Sequence, residues 1–265
     1  MIEPDRIARA AAHLGEIRRT RQPVTFPHGL CPADEDDAYA VQAALHQWQR
    51  NSGLGDLAGY KIGCTTPVMQ DVLQIPGPAF GGVLASRVFR DRAEFPFADY
   101  LKPGIECEIA MRLAVDLPPE GAPYTRDAVA SAIGACMAAI ELVDNRYGDF
   151  LSVAAPVMIA DDFFQSACIL GAEVTDWRNL DLADLEGRTF INGKLGGSGP
   201  GAEVLGHPLQ AIVWLANRFA GLGRGLKAGE IVMTGSLAPV QWLEAAPLEA
   251  VISIDGLGDV SLRLD

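Results

Sequence analysis

"KPGIECEIAMRL", Lys102 to Leu113, sets two glutamates one residue apart in a run otherwise carried by Ile105, Cys107, Ile109, Ala110, Met111 and Leu113. Apolar residues in such a run read as a buried strand. Side chains alternate along a strand that rises ~3.3 Å per residue, so Glu106 and Glu108 share one face with their Cα atoms about 6 to 7 Å apart. Cys107 and Ile109 then point to the opposite face with the core, while Ile105, Ala110 and Met111 surround the acidic pair with apolar neighbours. Two desolvated carboxylates repel, and each raises the pKa of the other unless a cation or a shared proton relieves the charge. On composition alone a second reading stands beside the cation site: an edge strand whose polar face looks into water.

Working outward, short apolar runs separated by Gly and Pro continue from Gly59 to the C-terminus, among them "GYKIGC", "AAIELVD", "APVMIA", "SACILGAEV", "EIVMTGSL" and "LEAVISIDGLG". That many short strands with few helices between them predicts an α+β fold, mostly β, built on mixed or antiparallel sheets and not on regular βαβ units. Two helices interrupt the strands: "TRDAVASAIGAC", capped by Thr125, and "HPLQAIVWLANRFAGLG", with Pro208 in its first turn. "DGLG" reads as the turn of a terminal hairpin. The first part of the chain is helical instead. Ile7, Ala10, Ala11, Leu14 and Ile17 recur at close to 3.6 residues, and Ala38, Val41, Ala44, Leu45 and Trp48 form a second stripe behind an acidic helix start. The expected organisation is a helical N-terminal lobe over 1–58 and a β-rich metal-binding catalytic domain over 59–265.

Composition bounds the partners. The 265 residues carry 21 Lys and Arg against 34 Asp and Glu, a formal charge of −13, which argues against nucleic acid or an anionic membrane surface. An anionic small substrate then needs a metal or a local Lys or Arg to override the field. No run of 18 apolar residues exists, and the N-terminus reads as an amphipathic helix of mixed charge, so a cytoplasmic location is expected. The five cysteines, Cys31, Cys64, Cys107, Cys136 and Cys168, show no CxxC spacing and read as buried free thiols.

Several further residues are candidates for chemistry. Glu141, in the strand-like "CMAAIELVDNRY", is the best third ligand for a cation; three carboxylates and water would suit Mg²⁺ or Mn²⁺ better than zinc, though a lone Glu in such a run is more often solvent-facing. Asp161 and Asp162 in "MIADDFF" are a further acidic pair, of which a strand would turn at most one to the site. Lys61 sits in the apolar strand "GYKIGC" before a Thr-Thr-Pro helix start: it is either a proton carrier and anion clamp beside the acidic cluster or a lysine snorkelling on an outer face. His207 precedes Pro208 and has a capping role as strong as any chemical one. "LGGSGPGAEVLG" lacks the GK[ST] ending of a phosphate loop and reads as a hairpin rim, with Ser198 a contact. Thr234, Gly235 and Ser236, in "MTGSL", form a small polar strand end that would donate N–H and hydroxyl groups to a carboxylate or simply make a turn.

Taken in order from about Tyr39 to the C-terminus, "GYKIGCTTPVMQDVL", "KPGIECEIAM", "AAIELVDNRY", "GAEVLGHPLQAIVWLAN" and "GEIVMTGSL" resemble the fumarylacetoacetate hydrolase superfamily, in its 2-oxopent-4-enoate (vinylpyruvate) hydratase and 4-oxalocrotonate decarboxylase branch. The resemblance implies a distorted β-sandwich or roll with a helical N-terminal lobe, in a homo-oligomer. It implies Mg²⁺ or Mn²⁺ on Glu106, Glu108 and Glu141, and a catalytic Lys61. Implied too is a hydratase of aromatic-compound catabolism that adds water to a short 2-hydroxy-2,4-dienoate through a metal-bound dienolate, giving a 4-hydroxy-2-oxo acid. Substrate contacts are expected from Thr234, Gly235, Ser236, Asp161, Ser198 and His207. The alternative is a decarboxylase of 2-oxo-enedioates, which "VDNRY" resembles more, whereas "TGSLAPV" resembles the hydratases. One departure bears on the last step: relatives carry an Asp before the Phe-Gly of "GPAFGGVL", where this chain has Ala79. Its loss motivates a third expectation, a non-catalytic subunit that binds a 2-oxo acid or a pathway enzyme.

Overall fold

The computed structural model describes residues 3–265. Helices α1 (Pro4–Thr20) and α2 (Glu35–Asn51) come first. Asp34 caps α2 by accepting from the Asp37 N–H, and three acids in its first turn suit the positive end of the helix dipole. Strand β1 (Leu57–Gly63), helix α3 (Pro67–Leu73), strands β2 (Ala79–Leu84), β3 (Val88–Arg90) and β4 (Arg92–Phe95) lead to the long β5 (Pro103–Leu113). Then come α4 (Arg126–Ala132), β6 (Ile133–Asp144), α5 (Ala155–Ala160), β7 (Gln165–Leu170), β8 (Glu186–Ile191) and β9 (Lys194–Pro200). The chain closes with α6 (Pro208–Gly221), β10 (Ile231–Ser236), β11 (Gln241–Trp242), β12 (Leu248–Ile254) and β13 (Gly258–Leu264).

These strands form two mixed sheets. One runs β2-β1-β10-β5-β6-β7-β3, with β11 added beside β5; the other runs β4-β13-β12-β8-β9. Pairs β1–β10, β3–β7 and β4–β13 are parallel and the others antiparallel, the mixed arrangement expected from the short, Gly-punctuated runs. β5 and β6 lie at the centre of the first sheet, and their register is continuous from Pro103↔Asp144 to Arg112↔Ala135. The face of β5 that carries Cys107 meets the second sheet so closely that a Cβ on Gly187 would lie 2.7 Å from the Cys107 sulfur. The other face of β5 is therefore left for the glutamates.

Two expected elements differ. "APVMIA" is helix α5 and not a strand, because its buried residues Ala155, Met158, Ile159 and Ala160 follow a helical spacing and Pro156 suits a first turn. The helix begun at Thr125 stops at Ala132, where β-branched Ile133 pairs with Leu113 and opens β6. Cys31 is exposed, while the other four thiols are buried and all five are free. The N-terminal helices are tied to the sheet region by a shared core that joins Leu14, Val41 and Leu45 to Ala79, Met158 and Phe163. Among the described residues no helix is long and apolar enough to cross a membrane.

Candidate metal centre and its cavity

Register assembles the acidic set. Glu106 of β5 stands directly opposite Glu141 of β6, and Glu108 lies two residues along the same face. Facing pairs in a sheet hold their Cβ atoms about 4.5–5.5 Å apart. The ligand oxygens of Glu106, Glu108 and Glu141 accordingly all lie within 4.8 Å of one another. On the other side, Ala110 of β5 pairs with Met233 of β10, and Met233 with Lys61 of β1, so Lys61 faces the same way as the glutamates. Its Nζ lies 3.3 Å from Oε1 of Glu141 and 5.6 Å from the centre of the Phe163 ring.

β10 is bulged to serve this face. Met233 pairs with Ala110, but Glu108 pairs with Ser236, leaving one extra residue in β10 between the two registers. Gly235 occupies the bulge at φ +117°, where a Cβ would come within 2.6 Å of Thr65. The bulge turns the Gly235 N–H onto Glu108, which accepts it at 2.9 Å. Thr234 is buried beside it and donates its hydroxyl to the Ile109 carbonyl at 2.8 Å.

Glu108 and Glu141 are 1% and 0% exposed, which sets the electrostatics. Burial pushes the Glu108 carboxyl well above its usual range, and the charges of Glu141 and Glu106 push it further. Burial likewise raises Glu141, to about 7, with Lys61 pulling against it and Glu106 pushing with it. Glu106 is also raised by burial, against the pull of Lys61. For Lys61 burial would favour the neutral amine, but Glu141, Glu106 and Glu108 outweigh it and hold the ammonium charged. Despite the nearby ammonium, both oxygens of Glu141 are buried without a hydrogen-bond donor. Three converging carboxylates, with both Glu141 oxygens unsatisfied, fit a hard divalent cation, which takes oxygen ligands and cancels their repulsion.

Of the acidic set, Glu106 lines a cavity of about 600 Å³, together with Lys61, Thr65 and Ser236, and Glu108 and Glu141 reach it through Glu106, their ligand oxygens within 4.8 Å of its own. Ser198 stands at its exposed rim. Other expected contacts lie elsewhere. Asp161 is fully buried in an ion-pair cluster, bound by Arg18, by Arg146 at 2.7 Å and by the Tyr147 hydroxyl at 3.0 Å, and is absent from the cavity wall. The substrate-binding expectation for Asp161 is therefore corrected: cations of α1 and the segment after β6 use both its oxygens. Asp162 is held in the same way by His46, Arg18 and the Gly82 N–H. His207 caps α6, accepting from the Leu209 N–H at 3.1 Å, and Thr234 and Gly235 support Glu108 and its strand from behind the cavity. The Ser236 hydroxyl donates to the Ala238 carbonyl at 2.6 Å.

Sequence reasoning missed Phe163, Phe164, Trp242 and Glu203, all of which line the cavity. The two phenylalanines follow Asp162 in left-handed backbone at φ 51° and 69°, a turn that apolar residues give no sign of. Ala79 is buried in β2 opposite Gly63, and a Cβ on Gly63 would lie 3.5 Å from the Lys61 ammonium, so Ala79 shares the face of Lys61. Cys64 also lines the cavity, but burial raises its thiol to about 12 and leaves it a poor nucleophile.

Fold and site together define an enzyme with an all-carboxylate centre on a mixed sheet, beside a cavity that Glu106 and Lys61 line. The chain belongs to the fumarylacetoacetate hydrolase family, whose C-terminal domain model matches residues 85–264. A 2-keto-4-pentenoate hydratase of Burkholderia vietnamiensis is 34% identical over 261 residues, 98% of each chain. A 2-hydroxyhexa-2,4-dienoate hydratase of Comamonas testosteroni is 34% identical over 248 residues, 92% of this chain and 91% of that one. Among solved structures, 4-oxalocrotonate decarboxylase from Pseudomonas putida G7, complexed with magnesium and adipate, superposes with a TM-score of 0.93 at 25% identity, over 100% of this chain and 99% of that one.

Proposed function

We propose that this chain is a divalent-metal-dependent hydro-lyase that adds water to a short 2-hydroxy-2,4-dienoate, giving a 4-hydroxy-2-oxo acid. The observation that carries the reading is the Glu106, Glu108, Glu141 triad beside Lys61, with Glu106 and Lys61 lining the cavity, and the full-length similarity to two hydratases supports it. The three glutamates would hold Mg²⁺, with Mn²⁺ the nearest alternative. The cation would supply Lewis acidity to the carboxylate and C2 oxygen of the substrate and bring local positive charge to a chain of net charge −13. Lys61 stays an ammonium among the carboxylates, so it acts as a donor: it orients an anionic oxygen of the substrate and delivers or holds a proton there. Thr65 and Ser236 contribute hydroxyl groups beside it, and the apolar walls hold the conjugated chain while keeping bulk water from its carbons.

Incubation with 2-hydroxypenta-2,4-dienoate and Mg²⁺ tests this. Loss of the dienol absorbance with formation of 4-hydroxy-2-oxopentanoate is expected, and no turnover across several chain lengths would sink the hydratase. Release of CO₂ from 4-oxalocrotonate would support a 2-oxo-enedioate decarboxylase instead, the activity named for the solved neighbour. Binding of metal and oxalate without any turnover would support a non-catalytic subunit, the reading that Ala79 motivates. A homo-oligomer, a cytoplasmic location, a role in aromatic-compound catabolism and contact with a pathway enzyme belong to the same proposal. Light scattering on purified protein decides the first.

A further inference from the structure

Resting on that reading of the site, we propose that the substrate is a dienoic monoacid with a bulky apolar group, alkyl or aryl, at the end remote from its carboxylate. Acids that carry a second carboxylate there are excluded. Size is the first argument. A cavity of about 150 Å³ takes a benzene-sized molecule. The eight heavy atoms of the five-carbon dienoate therefore fill on the order of a third of this space, whose volume is about 600 Å³.

The chemistry of the walls is the second. Beyond the acidic floor the cavity is bounded by Val68, Met69 and Leu73 of α3, by Phe150 and Phe163, and by Trp242. Val68 and Met69 are 69% and 37% exposed, an apolar rim that a hydrocarbon tail would cover. Charge is the third. The charged side chains that line the cavity are Lys61 and Glu106 at the floor and Glu203 at the exposed rim. Lys61 stands beside Glu141 and serves the end of the substrate bound at the acidic set, so no other cation among the lining residues is left to meet a second carboxylate at the far end. Lys102 sits over the Trp242 ring at 5.7 Å and is not part of the wall. A distal carboxylate would lose its water without a partner and meet the like charge of Glu203.

The test compares kcat/KM for 2-hydroxy-2,4-dienoates with hydrogen, methyl, pentyl or phenyl at the distal carbon, and for the corresponding dioate, all with Mg²⁺. Activity is expected to rise about fourfold per buried methylene and to fall at least 100-fold for the dioate. A flat series, or a dioate equal to the pentyl acid, overturns the proposal. Glu203→Arg should raise kcat/KM for the dioate relative to the methyl compound at least tenfold; an unchanged ratio overturns the part assigned to Glu203. Calorimetry of saturated 2-oxo acids on the Mg²⁺-loaded protein separates this inference from the reaction class. Tighter binding of 2-oxooctanoate than of pyruvate or 2-oxoadipate, with no dienol turned over, would sink the hydratase and uphold the specificity. Binding that ignores the tail would overturn the specificity whatever the reaction.

Discussion

Replacing Glu141 by glutamine removes one charge from the buried triad and leaves its shape. In the metal-free folded protein Glu141 ionises at about 7, burial being the main cause, whereas in an unfolded chain it would ionise at ~4.3. Between those values the folded chain holds a proton that the unfolded chain has released, so this group adds stability in acid and loses it as pH rises through 7. From pH 5 to pH 8 the loss amounts to about 2–3 kcal/mol. Glu141→Gln lacks it. Urea denaturation in EDTA at the two pH values should show the stability difference between variant and wild type shifting in favour of the variant by that amount at pH 8. Magnesium at 100 times its Kd should then add about 2.7 kcal/mol to the wild type, and far less to a variant with two carboxylates. A variant that keeps both the wild-type pH slope and the wild-type gain from Mg²⁺ would refute the shared buried site.

Lys61→Met should lower kcat at least ~100-fold without weakening Mg²⁺ binding, since a cation has been removed beside the metal; an unchanged kcat would take Lys61 out of the reaction. Gly235→Ala forces a methyl to within 2.6 Å of Thr65 at a φ of +117°. It should cost about 2 kcal/mol and, by shifting the N–H that holds Glu108, about tenfold in Mg²⁺ affinity, read by unfolding and metal titration. Asp161→Asn leaves Arg18 and Arg146 short of a counter-charge and should destabilise by about 3–5 kcal/mol. Its KM should be unchanged at low temperature, and a raised KM would restore Asp161 to the substrate site. Ala79→Asp puts a carboxylate on the face of Lys61 and should raise the hydration rate about tenfold or more; an unchanged or lower rate would show that another group already handles the proton.

Much of the floor of the site was legible because it depends on neighbours in sequence. Alternation in "GIECEI" puts Glu106 and Glu108 on one face whatever the strand pairs with, and a small residue with a positive φ at Gly235 sits where a "TGS" strand end suggests a turn. Six apolar residues in "APVMIA" fit a helix as well as a strand, and Pro156 in the first turn together with packing in the core shared with α2 made α5 a helix. Asp161 was misread for a related reason. An acid beside an apolar run is the same local signal whether it meets a substrate or an arginine, and the arginine here is Arg18, 143 residues away.

By itself the sequence determined the β-rich pattern, the acidic field that demands a cation, and the paired glutamates with a lysine strand before a Thr-Pro helix start. All of these follow from short-range rules of alternation, capping and charge. Tertiary structure alone decided that Glu141 faces Glu106, that the β10 bulge feeds an N–H to Glu108, and that Phe163, Trp242 and Glu203 wall one cavity. Strand register and loop closure join residues far apart in the chain, and their energies come from which surfaces are buried together, so no local run of residues can state them.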